Sequence, residues 1–167
     1  MRCSGAVGLA ARDGEIVCFE AAGFADLESR RPMERDSVFW IASQTKPVTA
    51  AALMALADDG AVALDDPVSK YVPELKNMRV RSGEAVPDGK LTLRAILCHT
   101  AGFAAMPPES SMPKLDAVPL SEQMKVFAKM PLEFFPGERH LYSNIGVNII
   151  GRVIAVSYTH LTLPTTS

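Results

Sequence analysis

One change of pattern, from a single β-hairpin to a succession of helices, constrains the fold of this chain most. Asp13-Gly14 lies between the apolar runs 6–11 and 16–19, and glycine accepts the positive φ that a two-residue hairpin turn requires. From Ser43 onward apolar residues recur at helical spacing, and Gly60 stands where a helix C-cap belongs. Strands and helices do not alternate, so the order excludes a βαβ fold and predicts the α+β class.

The remaining segments complete this expected order, with no internal repeat. Pro, Gly and capping residues set the expected boundaries. The predicted elements are a turn over 26–32, a short buried strand or approach segment over 38–42, a short helix over 65–73 with Pro67 at its first helical position, a loop over 76–90, a helix over 92–98 capped by Thr92, a loop over 104–119, a helix over 121–130, a turn over 135–138 and a buried helix over 145–155.

Composition excludes several functional classes. With 48% hydrophobic and 22% charged residues and a net charge of −2, the chain is neither disordered nor a typical nucleic-acid binder. No apolar run reaches the ~18 residues that span a membrane. Three scattered cysteines and three histidines without an HExxH pattern favour neither a disulfide framework nor a metal site. We therefore expect no metal, no cofactor, no nucleic-acid partner and no membrane segment.

Ser43 and Lys46 form the pattern most typical of nucleophilic catalysis. A serine three residues before a lysine on one helix places both side chains on one face, about 5–6 Å apart at Cβ, where the amine can take or relay the serine proton. Pro47 has no N–H and belongs in the first turn of its helix. Ser43 is therefore predicted at or near a helix N-terminus, where free backbone N–H groups suit an oxyanion.

The SxxK pattern alone is weak, because chance produces it roughly once in every two chains of this size. A second copy, Ser111 to Lys114, lies in a proline-rich loop and is interpreted as chance. The first copy follows the apolar residues 39–42 and opens a helix. The alternative remains that Ser43 is a plain N-cap and Lys46 a solvated helix charge.

Tyr142 and Asn144 are a second candidate pair, just before the last predicted helix. Residues at i and i+2 of an extended segment point the same way. The phenol is suited to shuttle a proton beside Lys46, and the amide to hold a substrate carbonyl or fix the lysine. The alternative is that Tyr142 is a core aromatic and Asn144 a helix N-cap.

Taken together, these segments resemble the serine β-lactamase and penicillin-binding-protein superfamily, in particular the group around class C enzymes, D-alanyl-D-alanine carboxypeptidases and esterases. The family motif SxxK is matched at Ser43 to Lys46. The resemblance extends in order and spacing over residues 5–155 and includes segments 5–7, 12–14, 39–47, 64–74, 97–102, 135–138 and 142–144. It implies a β-lactamase/transpeptidase-like α+β fold, with Ser43 as nucleophile, Lys46 as its activating partner, Tyr142 as general base or proton relay and Asn144 as a substrate-orienting group.

The chain also departs from the family pattern. The family's third motif, a Lys/His-Thr/Ser-Gly strand, is absent, as are the C-terminal sheet strands and the helix before the first strand. We therefore expect residues 1–155 to be about half of the family domain and to be inactive alone. Residues 156–167 resemble a translated sequencing adapter; a genuine tail is the alternative. His99 is expected to be structural, at a helix end, and His140 is a candidate substrate-facing group.

The resemblance implies a hydrolase or acyltransferase that forms an acyl-serine intermediate. Its substrate would be a small molecule or peptide carrying an amide or ester: a β-lactam, a D-Ala-D-Ala-like peptide or a small ester. A catalytically silent binding module that keeps the same scaffold is the competing hypothesis. A helical interaction domain is a second, which the linked Ser43–Lys46 and Tyr142–Asn144 patterns argue against.

Overall fold

The computed structural model describes residues 3–107 and 118–158. The chain divides after Ala42 into two compact units, residues 1–42 and 43–167. Strands lie in the first unit and helices in the second, which is the α+β organisation that the sequence predicts. Among the described residues, no helix has the length and apolar character to cross a membrane.

The first unit is a three-stranded antiparallel sheet in the order β1-β2-β3. The predicted hairpin is confirmed: β1 is Gly5–Arg12 and β2 is Glu15–Asp26. Asp13 and Gly14 both have positive φ, 51° and 83°, as a type I′ turn requires. The third strand, β3 (Arg31–Pro32), pairs with the end of β2 and was not predicted, because two residues are too short for a periodic pattern.

Of the two alternatives for residues 38–42, the buried strand is wrong and the irregular approach segment is what the structure has. Residues 38–41 adopt no regular structure, and the Val38 and Trp40 side chains are 99% and 91% exposed. A strand needs a neighbour to satisfy its N–H and C=O groups, and within the described part of this unit no strand pairs with these residues. Apolar composition alone therefore does not make this segment a strand.

Within the described part of the second unit lie four α-helices and the apolar core. They are α1 (Thr45–Asp58), α2 (Leu93–Leu97), α3 (Leu120–Phe127) and α4 (Asn144–Tyr158). The last helix packs against the other three, and its buried face meets a single apolar core. Fully buried members of that core include Leu53, Leu93, Ile96, Phe127, Ile149 and Val153.

Local signals at two helix ends are confirmed. The Thr92 hydroxyl accepts a hydrogen bond from the Ala95 N–H at 3.1 Å, which is the N-cap interaction expected of threonine. Gly60 has φ +73° two residues after α1 ends, and its N–H donates to the Ala57 carbonyl. These caps are local chemistry, so the sequence alone specifies them.

Three predicted helices differ in their extent, one of them α3, which was expected over 121–130 and is Leu120–Phe127. The segment 65–73 contains two 3₁₀ turns, Val68–Lys70 and Pro73–Leu75, rather than one helix. Pro67 lies before the first turn with ψ 137°, because it forms an isolated antiparallel bridge with Thr92 that keeps its backbone extended. The last helix continues to Tyr158, three residues past the expected end at 155; residues 159–167 of the suspected tail lie outside the described residues.

Candidate active site

Ser43 lies at the entry to α1. It is the middle residue of a 3₁₀ turn, Ala42–Gln44, that leads directly into the helix. Ala42 has φ +45°, a left-handed conformation that is uncommon for a residue with a Cβ atom and that tends to occur at functional sites. The turn leaves the Ser43 side chain exposed at the N-terminal end of the helix.

Tyr142 and Asn144 are oriented by the residue between them. Ser143 is only 3% exposed; its hydroxyl donates to the Ala104 carbonyl at 2.7 Å and accepts from the Gly146 N–H at 3.2 Å. Ser143 is therefore the N-cap of α4, and the alternative that Asn144 is the cap is wrong. Because Ser143 turns inward, the two flanking side chains turn the other way, as i and i+2 residues of an extended segment do.

The four residues singled out in the sequence form one hydrogen-bonded group. The Lys46 ammonium donates to Ser43 Oγ at 3.2 Å and to Asn144 Oδ1 at 2.7 Å. The Tyr142 hydroxyl donates to Ser43 Oγ at 2.8 Å. A serine hydroxyl thus contacts both an amine and a phenol, the kinds of group that relay its proton.

The surroundings of Tyr142 make its phenol easier to deprotonate than that of an ordinary tyrosine. Interaction with the Lys46 ammonium, and secondly with the Ser43 hydroxyl, lowers the pKa of the Tyr142 phenol. The ammonium also lies 4.7 Å from the centroid of the phenol ring, within the range of a cation–π contact. A cation beside a phenol stabilises its deprotonated form, which is the form that accepts a proton.

Sequence analysis missed Met106, which contacts the same group. The Asn144 amide nitrogen, Nδ2, donates to the Met106 sulfur at 2.9 Å. The two partners fix the orientation of the amide, because lysine only donates and a thioether only accepts. No spacing pattern links positions 106 and 144, so only the folded chain shows this contact.

His99 lies directly behind the phenol. Its ring centroid is 4.7 Å from that of Tyr142, and its Nδ1 accepts from the Ser143 N–H at 3.2 Å. With Lys46, Pro47 and Ile96 it lines a cavity of about 200 Å³ between α1, α2 and α4. His140 is exposed, and its ring lies edge-on to the His99 ring with the two centroids 5.8 Å apart.

Two further points concern residues outside this group. The second SxxK copy, Ser111 to Lys114, lies outside the described residues. No set of three or more His, Cys, Asp or Glu side chains in the described ranges is arranged to hold a metal ion.

Comparison with known proteins assigns the family. The family model described as Beta-lactamase matches residues 1–161. The chain belongs to the beta-lactamase family. Two curated relatives and one solved structure illustrate the range of this family. The chain is 34% identical to Esterase EstB of Burkholderia gladioli and 32% identical to a putative D-alanyl-D-alanine carboxypeptidase of Salmonella agona.

The solved structure of EstCE1, a hydrolase with promiscuous acyltransferase activity, superimposes with a TM-score of 0.81 at 28% identity and 93% coverage of this chain. The alignments with the esterase and the putative carboxypeptidase cover 92% and 87% of this chain. They cover only 41% and 36% of those two proteins, and the superposition covers 42% of EstCE1. The beta-lactamase-family resemblance found in the sequence, and the α+β fold that it implies, are therefore confirmed.

Proposed function

We propose that the protein containing this chain is a serine hydrolase or acyltransferase that cleaves an amide or ester through an acyl-serine intermediate. The observation that carries the proposal is the hydrogen-bonded group of Ser43, Lys46, Tyr142 and Asn144. Relatives named as an esterase and as a putative carboxypeptidase support the reaction class. The substrate is a β-lactam, a D-Ala-D-Ala-like peptide or a small ester.

In the proposed acylation step, Ser43 Oγ forms a bond to the substrate carbonyl carbon while Tyr142, as phenolate, takes the hydroxyl proton. The bond to the alcohol or amine then breaks, and the phenol returns the proton to this leaving group. Water subsequently attacks the acyl-serine ester by the reverse proton path, releasing the acid and regenerating the hydroxyl. The lowered pKa of Tyr142 supports this role, since a base must be deprotonated near its working pH.

Lys46 and Asn144 take supporting roles in this mechanism. The ammonium stabilises the phenolate and is held by the Asn144 oxygen at 2.7 Å. The Asn144 Nδ2 amide group donates to a weakly accepting thioether. In the proposed mechanism a substrate carbonyl replaces this thioether as the acceptor. The Ser43 backbone N–H supplies one donor for the oxyanion that forms during attack.

The first test is covalent labelling of the complete protein that contains this chain. A fluorophosphonate should phosphonylate the wild-type protein, and a labelled penicillin should acylate it. Ser43→Ala should abolish the labelling, because no other group replaces the nucleophile. Ser82→Ala, which removes an exposed hydroxyl that bonds Glu84, is the matched control and should label normally. Undiminished labelling of Ser43→Ala would move the nucleophile elsewhere, with Ser111 next to be tested.

The 167-residue chain should be compared with the complete protein in the same assays, an ester and a chromogenic β-lactam. We propose that the isolated chain is inactive or nearly so. Ser43 and Tyr142 are exposed, and the family resemblance implies that the second oxyanion donor comes from the third-motif strand, which is not among these residues. Losing one such donor costs about 10²–10³ in rate. Serine-dependent turnover by the isolated chain, with a sharp melting transition, would refute this. A complete protein that no probe labels would instead be a silent scaffold.

A further inference from the structure

His99 is held in an unusual backbone conformation just after α2. Its φ is +58°, in the left-handed region that residues with a Cβ atom rarely adopt. Two backbone hydrogen bonds fix it there: its N–H donates to the Ile96 carbonyl, and its carbonyl accepts from the Leu141 N–H at 2.8 Å. The second bond ties the end of α2 to the segment that carries Tyr142.

The imidazole makes a further tie to this segment. Its Nδ1 accepts from the Ser143 N–H at 3.2 Å, so this nitrogen carries no proton and the neutral ring has its proton on Nε2. Backbone and side chain of His99 therefore hold two nearby amides: that of Leu141, in the 140–141 peptide group, and that of Ser143, in the peptide group directly after Tyr142. The Leu141 and Ser143 amides have no freedom to rotate without breaking one of these bonds.

The ring of His99 also supports the ring of Tyr142. The two planes are tilted by 33° with centroids 4.7 Å apart, a favourable separation for aromatic rings. Tyr142 is 42% exposed, so its ring contacts contribute to holding the side chain in place. The Lys46 ammonium and the His99 ring are the neighbours that fix the phenol within 2.8 Å of Ser43 Oγ.

We propose that His99 is a positioning residue: in its neutral form it fixes the Tyr142 phenol against Ser43 mainly through the Ser143 amide, with the ring contact as a secondary support. The proposal rests on the proposed function, because the phenol is placed there for proton transfer. It goes beyond the expected structural role at a helix end, since a merely structural histidine would not make the reaction depend on its protonation state.

Charges around the ring favour the neutral form. Burial, then the neighbouring His140 and Lys46, lowers the pKa of His99. The titratable or charged groups that face it are Tyr142 and His140 of the segment before α4 and Lys46 of α1, with Cys98 adjacent in the chain. When pH falls through the lowered pKa, protonation removes the acceptor at Nδ1 and adds a positive charge near Lys46. The reaction should therefore lose rate on the acid side.

The test compares His99→Asn and His99→Phe in the complete protein. Asparagine keeps a short-range acceptor and tolerates the left-handed backbone, whereas phenylalanine keeps a ring and loses the acceptor. We expect His99→Phe to lower kcat about 10²-fold, the scale of a small misplacement of a reacting group, with KM nearly unchanged. His99→Asn should retain most of the wild-type kcat. Its pH–rate profile should lack the loss of rate at low pH that protonation of His99 causes. Cys98→Ser, an exposed neighbour, is the control.

A second readout keeps this test separate from that of the proposed function. The ζ-carbon of Tyr142, one of three tyrosines and assigned with Tyr142→Phe, reports phenol titration by NMR without any substrate. We expect the Tyr142 pKa to rise in His99→Phe, because the phenol no longer stays beside Lys46, and to stay low in His99→Asn. This result would support positioning even if Ser43→Ala showed that the proposed nucleophile is wrong.

Three outcomes overturn the inference. One is an unchanged kcat and unchanged Tyr142 titration in a folded His99→Phe variant. Another is an acid limb in His99→Asn identical to that of the wild type. The third applies if His99→Phe does not fold, as judged by circular dichroism: a His99→Asn variant that folds but shows an altered Tyr142 titration would show that the acceptor is not what holds the phenol.

Discussion

Lys46 is the residue through which the candidate nucleophile, the base and the orienting amide are connected. It bonds Ser43 Oγ and Asn144 Oδ1 and lies against the Tyr142 ring. Lys46→Met keeps most of the aliphatic stem but removes the charge, so the phenolate loses its stabilising cation. We expect acylation of the complete protein to slow about 10²–10⁴-fold, the usual contribution of a positioned proton-transfer group, in stopped-flow or time-resolved labelling.

Lys129→Met is the matched control, since Lys129 is an exposed lysine just after α3. It should acylate at the wild-type rate. Equal rates for the Lys46 and Lys129 variants would show that the amine takes no part in the reaction and would favour the plain helix-charge interpretation.

At this scale the sequence reveals the groups but not all of their contacts. Ser43 and Lys46 are three residues apart on a helix, and Tyr142 and Asn144 two apart on an extended segment, so their pairing follows from local geometry. The partners Met106 and His99 reach the site across loops, and no periodicity encodes them. The left-handed backbone of His99 is equally hidden, because histidine carries no strong signal for it.

Among the connecting segments, the backbone at Gly102 passes so close to that of Phe134 that it leaves no room for a side chain. Gly102 has φ +87°, and a Cβ atom there would lie 2.4 Å from the Phe134 carbonyl oxygen. The same stretch pairs through the Glu133 N–H, which donates to the Gly102 carbonyl at 2.7 Å. Gly102→Ala should therefore add a steric overlap to the cost of left-handed backbone, lowering the free energy of unfolding by ~2 kcal/mol or more in urea denaturation.

Two other glycines separate these causes. Gly83 has φ +93° with nothing within 4 Å of a built Cβ, and Gly89 has neither a positive φ nor a near neighbour. Gly83→Ala should cost about 1 kcal/mol from backbone strain alone, and Gly89→Ala should be near neutral. A Gly102→Ala variant no less stable than Gly83→Ala would mean that the Phe134 carbonyl moves aside without cost.

Elements specified by local chemistry were predictable, and those that need a partner were not. The Asp13-Gly14 turn and the Thr92 cap each require only residues close in sequence. The run over 38–41 has strand-like composition, but strand pairing is a non-local interaction and composition does not supply it. Pro67 behaves similarly, since its bridge to Thr92 overrides the preference of proline for a first helical position.

On the scale of the whole molecule, the first unit exposes an unusual amount of apolar surface. Val38 and Trp40 are almost fully exposed, and Leu9, Ile16 and Val17 are 57%, 61% and 64% exposed. Apolar patches and edge strands, such as β1 in the order β1-β2-β3, promote association. The beta-lactamase-family relatives are more than twice as long as this chain, so its exposed surface should be tested on the chain as it stands.

Trp40 allows a direct measurement, because it is the only tryptophan in the chain. In dilute solution its emission should be that of a hydrated indole and should be readily quenched by acrylamide. As the concentration of the 167-residue chain rises, the exposed apolar side chains should associate, so the emission should shift to the blue while the apparent mass in size-exclusion chromatography increases. Val38→Ser combined with Ile41→Ser should weaken both changes, whereas Glu34→Ser, at an exposed polar position nearby, should not. A concentration-independent mass with unshifted emission would show that this surface does not drive association; a blue-shifted, quencher-resistant emission from a dilute monomer would show that residues 38–41 are buried in solution.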